Sequence, residues 1–341
     1  VNAASQQLQS VPLVLLTGFL GSGKTTLLNR LLADPSVHDT AVIVNEFGEI
    51  GVDHLLVAPV ADDIVLLASG CVCCNAGDDL GTAVMSLLAR RSCGAVPLFQ
   101  RIVLETTGIA DPGSVLQRLL CDGVLAAQIR IQAIVTVVDA VLGELTLSRH
   151  TECASQVALA DRLVISKLDL VGREHVNSLV AHLRAINPTA PIFLPALSDP
   201  VSNYFVNDTG GDAGVTCHAM PPLAHRRFHQ GAAVNHAGRY QTFWFGWDEP
   251  TDWDDFKAWL EGLLIARGDS ILRMKGLLHV AGRGQPVVVQ GVQHALYAPK
   301  ELIAWPHGAP TSELVFVTQD FSREAALRSF RQVLAYRIAA T

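Results

Sequence analysis

The sequence is short of several things. No uninterrupted apolar run approaches the ~18 residues that cross a bilayer as a helix, although half of the 341 residues are hydrophobic. No membrane span is therefore expected, and the hydrophobic half is enough to bury a sizeable core. There is no excess of positive charge: 25 Lys and Arg face 32 Asp and Glu, a formal net charge of −7. That speaks against nonspecific binding to nucleic acid and leaves no basic patch for a membrane surface. There is no internal repeat and no low-complexity tract. The residues before the first apolar stretch carry no Lys or Arg, so that stretch does not read as a secretory leader. The expected location is cytoplasmic. Methionine is scarce, three against twelve histidines, a balance that suits an enzyme handling a borderline metal such as zinc but does not demonstrate one. The seven cysteines are odd in number and unevenly clustered, which favours thiols and metal ligands over a disulfide framework. The length suggests two domains.

What is present is organised around Gly18-Phe19-Leu20-Gly21-Ser22-Gly23-Lys24-Thr25. This fits G-x-x-x-x-G-K-[ST], the loop that wraps nucleotide phosphates. The apolar Leu13–Leu16 before it reads as a buried strand, and Thr26–Leu32 after it is helix-forming. Gly18, Gly21 and Gly23 let the backbone turn its N–H groups toward an anion, with Ser22 and Thr26 beside them. The helix N-terminus adds partial positive charge. Lys24 is expected at the β- and γ-phosphates and the Thr25 hydroxyl at Mg²⁺. The plain alternative, a glycine-rich turn without a ligand, gives no reason for Lys24 inside a neutral loop.

Short strands are expected at Ala41–Val44, Ile64–Leu67, Arg101–Glu105, Ala133–Asp139, Arg162–Ile165 and Pro191–Ala196, alternating with helices. That pattern is an α/β fold with a mostly parallel, three-layer sheet of the P-loop NTPase kind. Glu105 ends a strand at the rim where such sheets bind ligands. It is placed to hold Mg²⁺ as a Walker-B acid does. The Gly108 N–H is placed to feel a γ-phosphate. The stretch Asn45–Asp53, with Glu46, Glu49 and Asp53, lies where a phosphate-sensing loop is expected, although solvated loop charges would look the same.

Cys71, Cys73 and Cys74 fall within four residues. Unemployed thiols oxidise, and adjacent cysteines are poorly placed for a bridge. Thiolates at this spacing can converge on one cation, with Zn²⁺ the default tetrahedral guest. The fourth position is left for a side chain such as Glu46 or His54, or for water. A redox or merely packed cluster is the alternative. Ser166-Lys167-Leu168-Asp169 is a variant of the guanine-reading tetrad N-K-x-D. The Asp169 carboxylate can accept from the guanine ring N–H and its exocyclic amine. Adenine offers no such donors, and mismatches of this type reject a ligand by ~10⁴-fold. The Lys167 stem can lie across the base, and the Ala196 N–H is a candidate for the guanine carbonyl. Ser166 in place of Asn is expected to weaken the bracing of this loop.

Composition shifts after about residue 198. A Gly- and His-containing linker is expected over 199–238, with His218, His225, His229 and His236 read as solvated and an auxiliary metal tether as the alternative, and a smaller α+β domain over 239–341. There Asp252–Leu264 reads as an amphipathic helix whose Trp253, Phe256, Trp259, Leu260 and Leu263 form a core stripe.

Taken together, Gly-Phe-Leu-Gly-Ser-Gly-Lys-Thr-Thr, Asn-Glu-Phe-Gly-Glu, Cys-Val-Cys-Cys, Glu-Thr-Thr-Gly-Ile-Ala-Asp-Pro and Ser-Lys-Leu-Asp resemble the CobW family of P-loop GTPases. Ile271–Gly276 and Gly291–His294 are similar to that family's C-terminal domain, so the likeness spans nearly the whole chain. It implies a P-loop GTPase domain over 1–198 and a CobW-type domain over 239–341. It implies Lys24 and Thr25 at phosphate and Mg²⁺, Glu105 at the Walker-B position, Lys167 and Asp169 at guanine, and Cys71, Cys73 and Cys74 at a transferred metal. The implied function is a GTP-hydrolysing metallochaperone that passes Zn²⁺ or Co²⁺ to a metalloprotein client; lacking an evident arginine finger, it is expected to be slow on its own. GTP, GDP and that client are the expected partners, without nucleic acid or membrane, and homo-oligomerisation is left open. The alternatives are a metal-sensing switch that binds a partner without transferring metal, and an ATP-dependent kinase, against which Asp169 counts. Neither the residues nor the likeness assigns a general base.

Overall fold

The computed structural model describes residues 10–34, 37, 39–44, 65–68, 79–196, 199–205, 228–230, 234–236, 240–306 and 310–338. The chain divides into two compact units, Val1–Val180 with Ala190–Asn207, and Ala181–Thr189 with Asp208–Thr341.

In the first unit the strands are β1 (Val11–Thr17), β2 (Thr40–Val44), β3 (Val65–Ala68), β4 (Arg101–Glu105), β5 (Ile129–Asp139), β6 (Arg162–Ser166) and β7 (Ile192–Phe193). They form one sheet in the order β3-β2-β4-β1-β5-β6-β7, and every pairing in it is parallel. Strands buried on both faces read as continuous apolar runs rather than alternating ones. The run Leu13–Leu16 is wholly buried, and so are Ile102–Leu104 and Ile134–Val135. The connecting helices are α1 (Lys24–Leu32), α2 (Asp79–Ser92), α3 (Pro112–Cys121), α4 (Gly123–Gln128), α5 (Gly143–Arg149), α6 (Thr151–Leu159), α7 (Arg173–Ile186) and the short α8 (Ser202–Phe205). Leu27, Leu28 and Leu31 on one face of α1 pack with Val14, Leu16, Val135 and Phe205. The sheet reverses direction of growth at β1, which lies between β4 and β5. Ligands of open α/β sheets bind outside the strand ends at such a point, and the glycine-rich loop leaves β1 there.

The second unit is an antiparallel sheet ordered β13-β12-β11-β15-β10-β8, with β14 on β12 and β9 on β10. Its strands are β8 (Phe228–Gln230), β9 (Val234–His236), β10 (Tyr240–Trp247), β11 (Ile271–Leu278), β12 (Val287–Val292), β13 (Ala295–Leu296), β14 (Lys300–Glu301) and β15 (Ser312–Gln319). Helices α9 (Trp253–Arg267) and α10 (Arg323–Ile338) contribute to its core. Phe245, Trp247 and Trp259 surround Phe330, with ring centroids 5.3, 4.5 and 4.8 Å away. The stripe read from the sequence is buried at Phe256, Trp259, Leu260 and Leu263, with Trp253 partly covered. The two indole N–H groups in this core are satisfied, by Thr251 Oγ1 at 2.9 Å and Ser329 Oγ at 3.1 Å. Asp252 caps α9, accepting from the Asp254 and Asp255 N–H groups. All five tryptophans fall in this unit. Within the stretch read as a linker, residues 202–205 form α8, and 228–230 and 234–236 pair with β10. No helix among the described residues is long and apolar enough to cross a membrane.

Candidate active site

Gly18 leaves β1 with φ 145°, and a Cβ there would lie 2.3 Å from the Val137 carbonyl oxygen of β5. Only glycine lets the loop start this close to the neighbouring strand. The loop closes through the Ser22 N–H on the Phe19 carbonyl at 3.1 Å. Helix α1 then begins with Gly23 as its cap, without a side-chain cap and without an acid in its first turn. The positive end of its dipole suits an anion. Lys24 is 8% exposed, and its ammonium donates to the Gly18 and Phe19 carbonyls at 2.8 and 3.2 Å.

Glu105 ends β4 beside Leu16 of β1 and is 5% exposed. Thr25 Oγ1 donates to its Oε1 at 3.2 Å. The strand end is locked by the Thr106 N–H on the Leu16 carbonyl and by Thr106 Oγ1 on Thr17 Oγ1, both at 2.9 Å. Thr107 Oγ1 is buried and has no hydrogen-bond partner among the described residues. These groups border a cleft of about 450 Å³, which Gly21, Gly23, Thr26, Gly108 and Lys167 also line. A hydroxyl and a carboxylate this close form an oxygen-only donor pair, which fits Mg²⁺. Gly18 and Ser22 do not line this cleft. Ser22 lines a smaller cavity of about 110 Å³, shared with Cys153 and Gln156.

Ser166 Oγ donates to the Ser22 carbonyl at 2.6 Å and lies 3.3 Å from the Val138 carbonyl. The shorter side chain thus still reaches across, because the two loops approach closely. Lys167 has a left-handed backbone, φ 56°, and pairs with Asp139 Oδ2 at 2.7 Å. The other oxygen of Asp139 accepts from the Val141 and Leu142 N–H groups at 2.7 and 3.3 Å. Asp169 lies in a single 3₁₀ turn, Leu168–Leu170, and is exposed, apart from the residues lining the cleft. The Ala196 N–H, read as a candidate for the guanine carbonyl, donates to Asp199 Oδ2 at 2.8 Å, and the Asp199 N–H donates back to the Ala196 carbonyl at 3.2 Å. Arg30 fastens this pairing through the Ala196 and Asp199 carbonyls at 3.1 and 3.3 Å.

Sequence reasoning passed over Gln156. Its amide Nε2 donates to the Gly108 and Ala110 carbonyls at 3.0 and 3.1 Å. A signal was available: a glutamine between Ala154 and Val157, on the side of α6 that the apolar pattern buries. Cys71, Cys73, Cys74 and Glu46, and with them Glu49, Asp53 and His54, lie outside the described residues. Among the described residues no cluster of His, Cys, Asp and Glu could hold a metal ion. Cys93 and Cys153 are free thiols there, the first exposed and the second buried. Burial, offset in part by the Thr146 hydroxyl, pushes the Cys153 thiol up to about 11.

The model of the CobW/HypB/UreG nucleotide-binding domain matches residues 12–194, and that of the cobalamin synthesis protein cobW C-terminal domain matches 240–334. The chain belongs to the CobW family. Its relatives include the zinc chaperone YjiA of Escherichia coli (strain K12), 32% identical over 320 residues, 94% of this chain and 98% of that one. The zinc-regulated GTPase metalloprotein activator 1 of Schizosaccharomyces pombe is 33% identical over 192 residues, 54% of this chain and 46% of its own length. The crystal structure of zinc(II)-bound YjiA GTPase from E. coli superimposes with a TM-score of 0.67 at 27% identity, covering 95% of this chain and 99% of that one. The CobW nucleotide-binding model thus spans the strands, the glycine-rich loop and the Glu105 rim, and the C-terminal model spans most of the second unit.

Proposed function

We propose that this CobW protein is a GTP-hydrolysing metallochaperone that binds Zn²⁺ or Co²⁺ through Cys71, Cys73 and Cys74 and delivers it to a metalloprotein client. The observation that carries the reading is the cleft in which Lys24, the Thr25–Glu105 pair and Lys167 face one space. YjiA, named a zinc chaperone and similar along almost the full chain, supports the metal half of it.

In this reading the triphosphate takes the open N–H groups of the glycine-rich loop, and Lys24 exchanges its two backbone carbonyls for phosphate oxygens. Thr25 and Glu105 hold Mg²⁺. When bound, Mg²⁺ supplies a Lewis-acid charge against the phosphate oxygens. The Gly108 N–H meets the terminal phosphate. Asp169 accepts from guanine, and Lys167, held by Asp139, lies over the base. Water then adds to the γ-phosphorus and the bond to the β-phosphate oxygen breaks, giving GDP and phosphate. The chain's part is positioning and charge stabilisation. The Cys-x-Cys-Cys segment lies in sequence between the Asn45–Asp53 stretch and Glu105. The terminal phosphate would order both neighbours and draw the thiolates together, and its loss would loosen the metal. Such coupling is reciprocal, so metal tightens GTP as much as GTP tightens metal.

Calorimetric titration of Zn²⁺ into the protein holding GDP or a nonhydrolysable GTP analogue tests this. The analogue is expected to tighten zinc by a factor in the range of about 5 to 150, and removal of Cys71, Cys73 and Cys74 to abolish the difference. Equal zinc affinity in the two states rejects the coupling. Retention of zinc in the presence of metal-free clients after hydrolysis would favour a switch over a chaperone.

A further inference from the structure

Helix α6 buries Cys153, Ala154, Val157, Ala158 and Leu159, and Gln156 is 1% exposed among them. A primary amide in that setting must find partners or bear the full cost of desolvation. It finds them more than forty residues back in the chain, at the Gly108 and Ala110 carbonyls. Next to it, Ser155 Oγ donates to Asp111 Oδ1 at 2.9 Å, while Asp111 Oδ2 caps α3 through the Ser114 N–H at 3.1 Å. The main-chain carbonyl of Gln156 accepts from Thr136 Oγ1 of β5 at 2.8 Å. The turn after Glu105 is therefore fastened to α6 at two points, and α6 is fastened to the sheet.

The turn itself is pressed on the phosphate loop. A Cβ on Gly108 would lie 2.6 Å from the Leu20 nitrogen and 2.8 Å from its Cα. Glycine is needed for that approach, and glycine leaves the turn soft. Fixing the Gly108 carbonyl fixes the peptide plane that follows it and narrows the directions open to the preceding N–H. A donor set in place beforehand needs no reorganisation when charge arrives.

We propose that Gln156 is a positioning residue whose carboxamide holds the Gly108 turn in the attitude that meets a terminal phosphate, so that α6 sets the preference for nucleoside triphosphate over diphosphate. The proposal rests on the GTP reading above. It gives a fully buried amide a role in ligand discrimination as well as in packing.

Full-length wild type, Gln156→Met, Gln156→Asn, Ser155→Ala and Thr136→Val are compared. Affinities for GDP and for a nonhydrolysable GTP analogue are measured by titration calorimetry, with single-turnover hydrolysis and thermal melting alongside. Methionine keeps the length and removes the donor. It is expected to cost about tenfold in preference for the triphosphate, with GDP affinity held within about twofold. Gln156→Asn, too short to span both carbonyls, is expected to act in the same direction, and hydrolysis should fall with the preference. Thr136→Val should lower the melting temperature and leave the preference unchanged. Equal weakening of both nucleotides by Gln156→Met, or an unchanged preference, overturns the proposal. If that variant does not fold, Gln156→Asn and Ser155→Ala carry the same readout, and an unchanged preference in both overturns it. A wild type that binds neither guanine nucleotide removes the GTP reading itself, and this proposal with it.

Discussion

Ser166 and Cys153 show how much a single side chain decides in this molecule. The Ser166 hydroxyl joins the end of β6 to the glycine-rich loop through the Ser22 carbonyl at 2.6 Å. Ser166→Ala keeps the fold and removes that tie. We expect it to weaken guanine nucleotide binding by about fivefold to tenfold, the worth of one net hydrogen bond, read by titration with GDP. Cys153 behaves as a small hydrophobe. Its thiol is displaced from an ordinary 9.0 to about 11, chiefly by burial. The unfolded chain then releases this proton at lower pH than the folded one. The neutral thiol's contribution to stability is complete below about 9 and is lost as pH rises toward about 11. Denaturation midpoints at stepped pH should fall across that window, and the fall should be smaller in Cys153→Ala. A thiol reagent near neutral pH should label Cys93 and spare Cys153 in the native protein.

At the scale of elements, the caps and the turn chemistry are local and the ties between elements are not. Asp252 is the N-cap of α9 and satisfies two N–H groups. Asp252→Ala should destabilise the second unit by about 1 kcal/mol, measured by denaturant unfolding, without altering nucleotide affinity. This division explains what could be read before the structure. The glycine-rich loop was legible because its constraints lie within eight consecutive residues and act on one backbone. The buried strands were legible because parallel strands covered on both faces leave unbroken apolar runs, as in Leu13–Leu16 and Ile102–Leu104. Gln156 was not, since a glutamine in a helix is unremarkable until its partners at Gly108 and Ala110 are brought to it by the sheet. The reach of Ser166 and the engagement of the Ala196 N–H depend on distances between segments far apart in sequence. Spacing alone could not supply them. The pairing of residues 228–230 and 234–236 with β10 was hidden for another reason: strands of three residues are too short to show a period.

For the whole molecule, the two units differ in how they are held together. The first stacks α/β crossovers on a parallel sheet and keeps its glycine-rich turns at the carboxyl ends of the inner strands β1 and β4. The second closes an antiparallel sheet with rings, Phe330 touching Phe245, Trp247 and Trp259. Every tryptophan belongs to that second unit, and none lies on the glycine-rich loop, on Glu105 or on the Gly108 turn. Indole emission is therefore a private optical reporter of one half of the chain. Nucleotide at about a hundredfold over its dissociation constant should stabilise the binding half by about 2.7 kcal/mol. If the halves melt independently, calorimetry will register the shift while the emission transition stays where it was. Should the emission move with nucleotide as well, the halves share their unfolding, and the same lamp that watches one of them becomes a gauge of how strongly it hears the other.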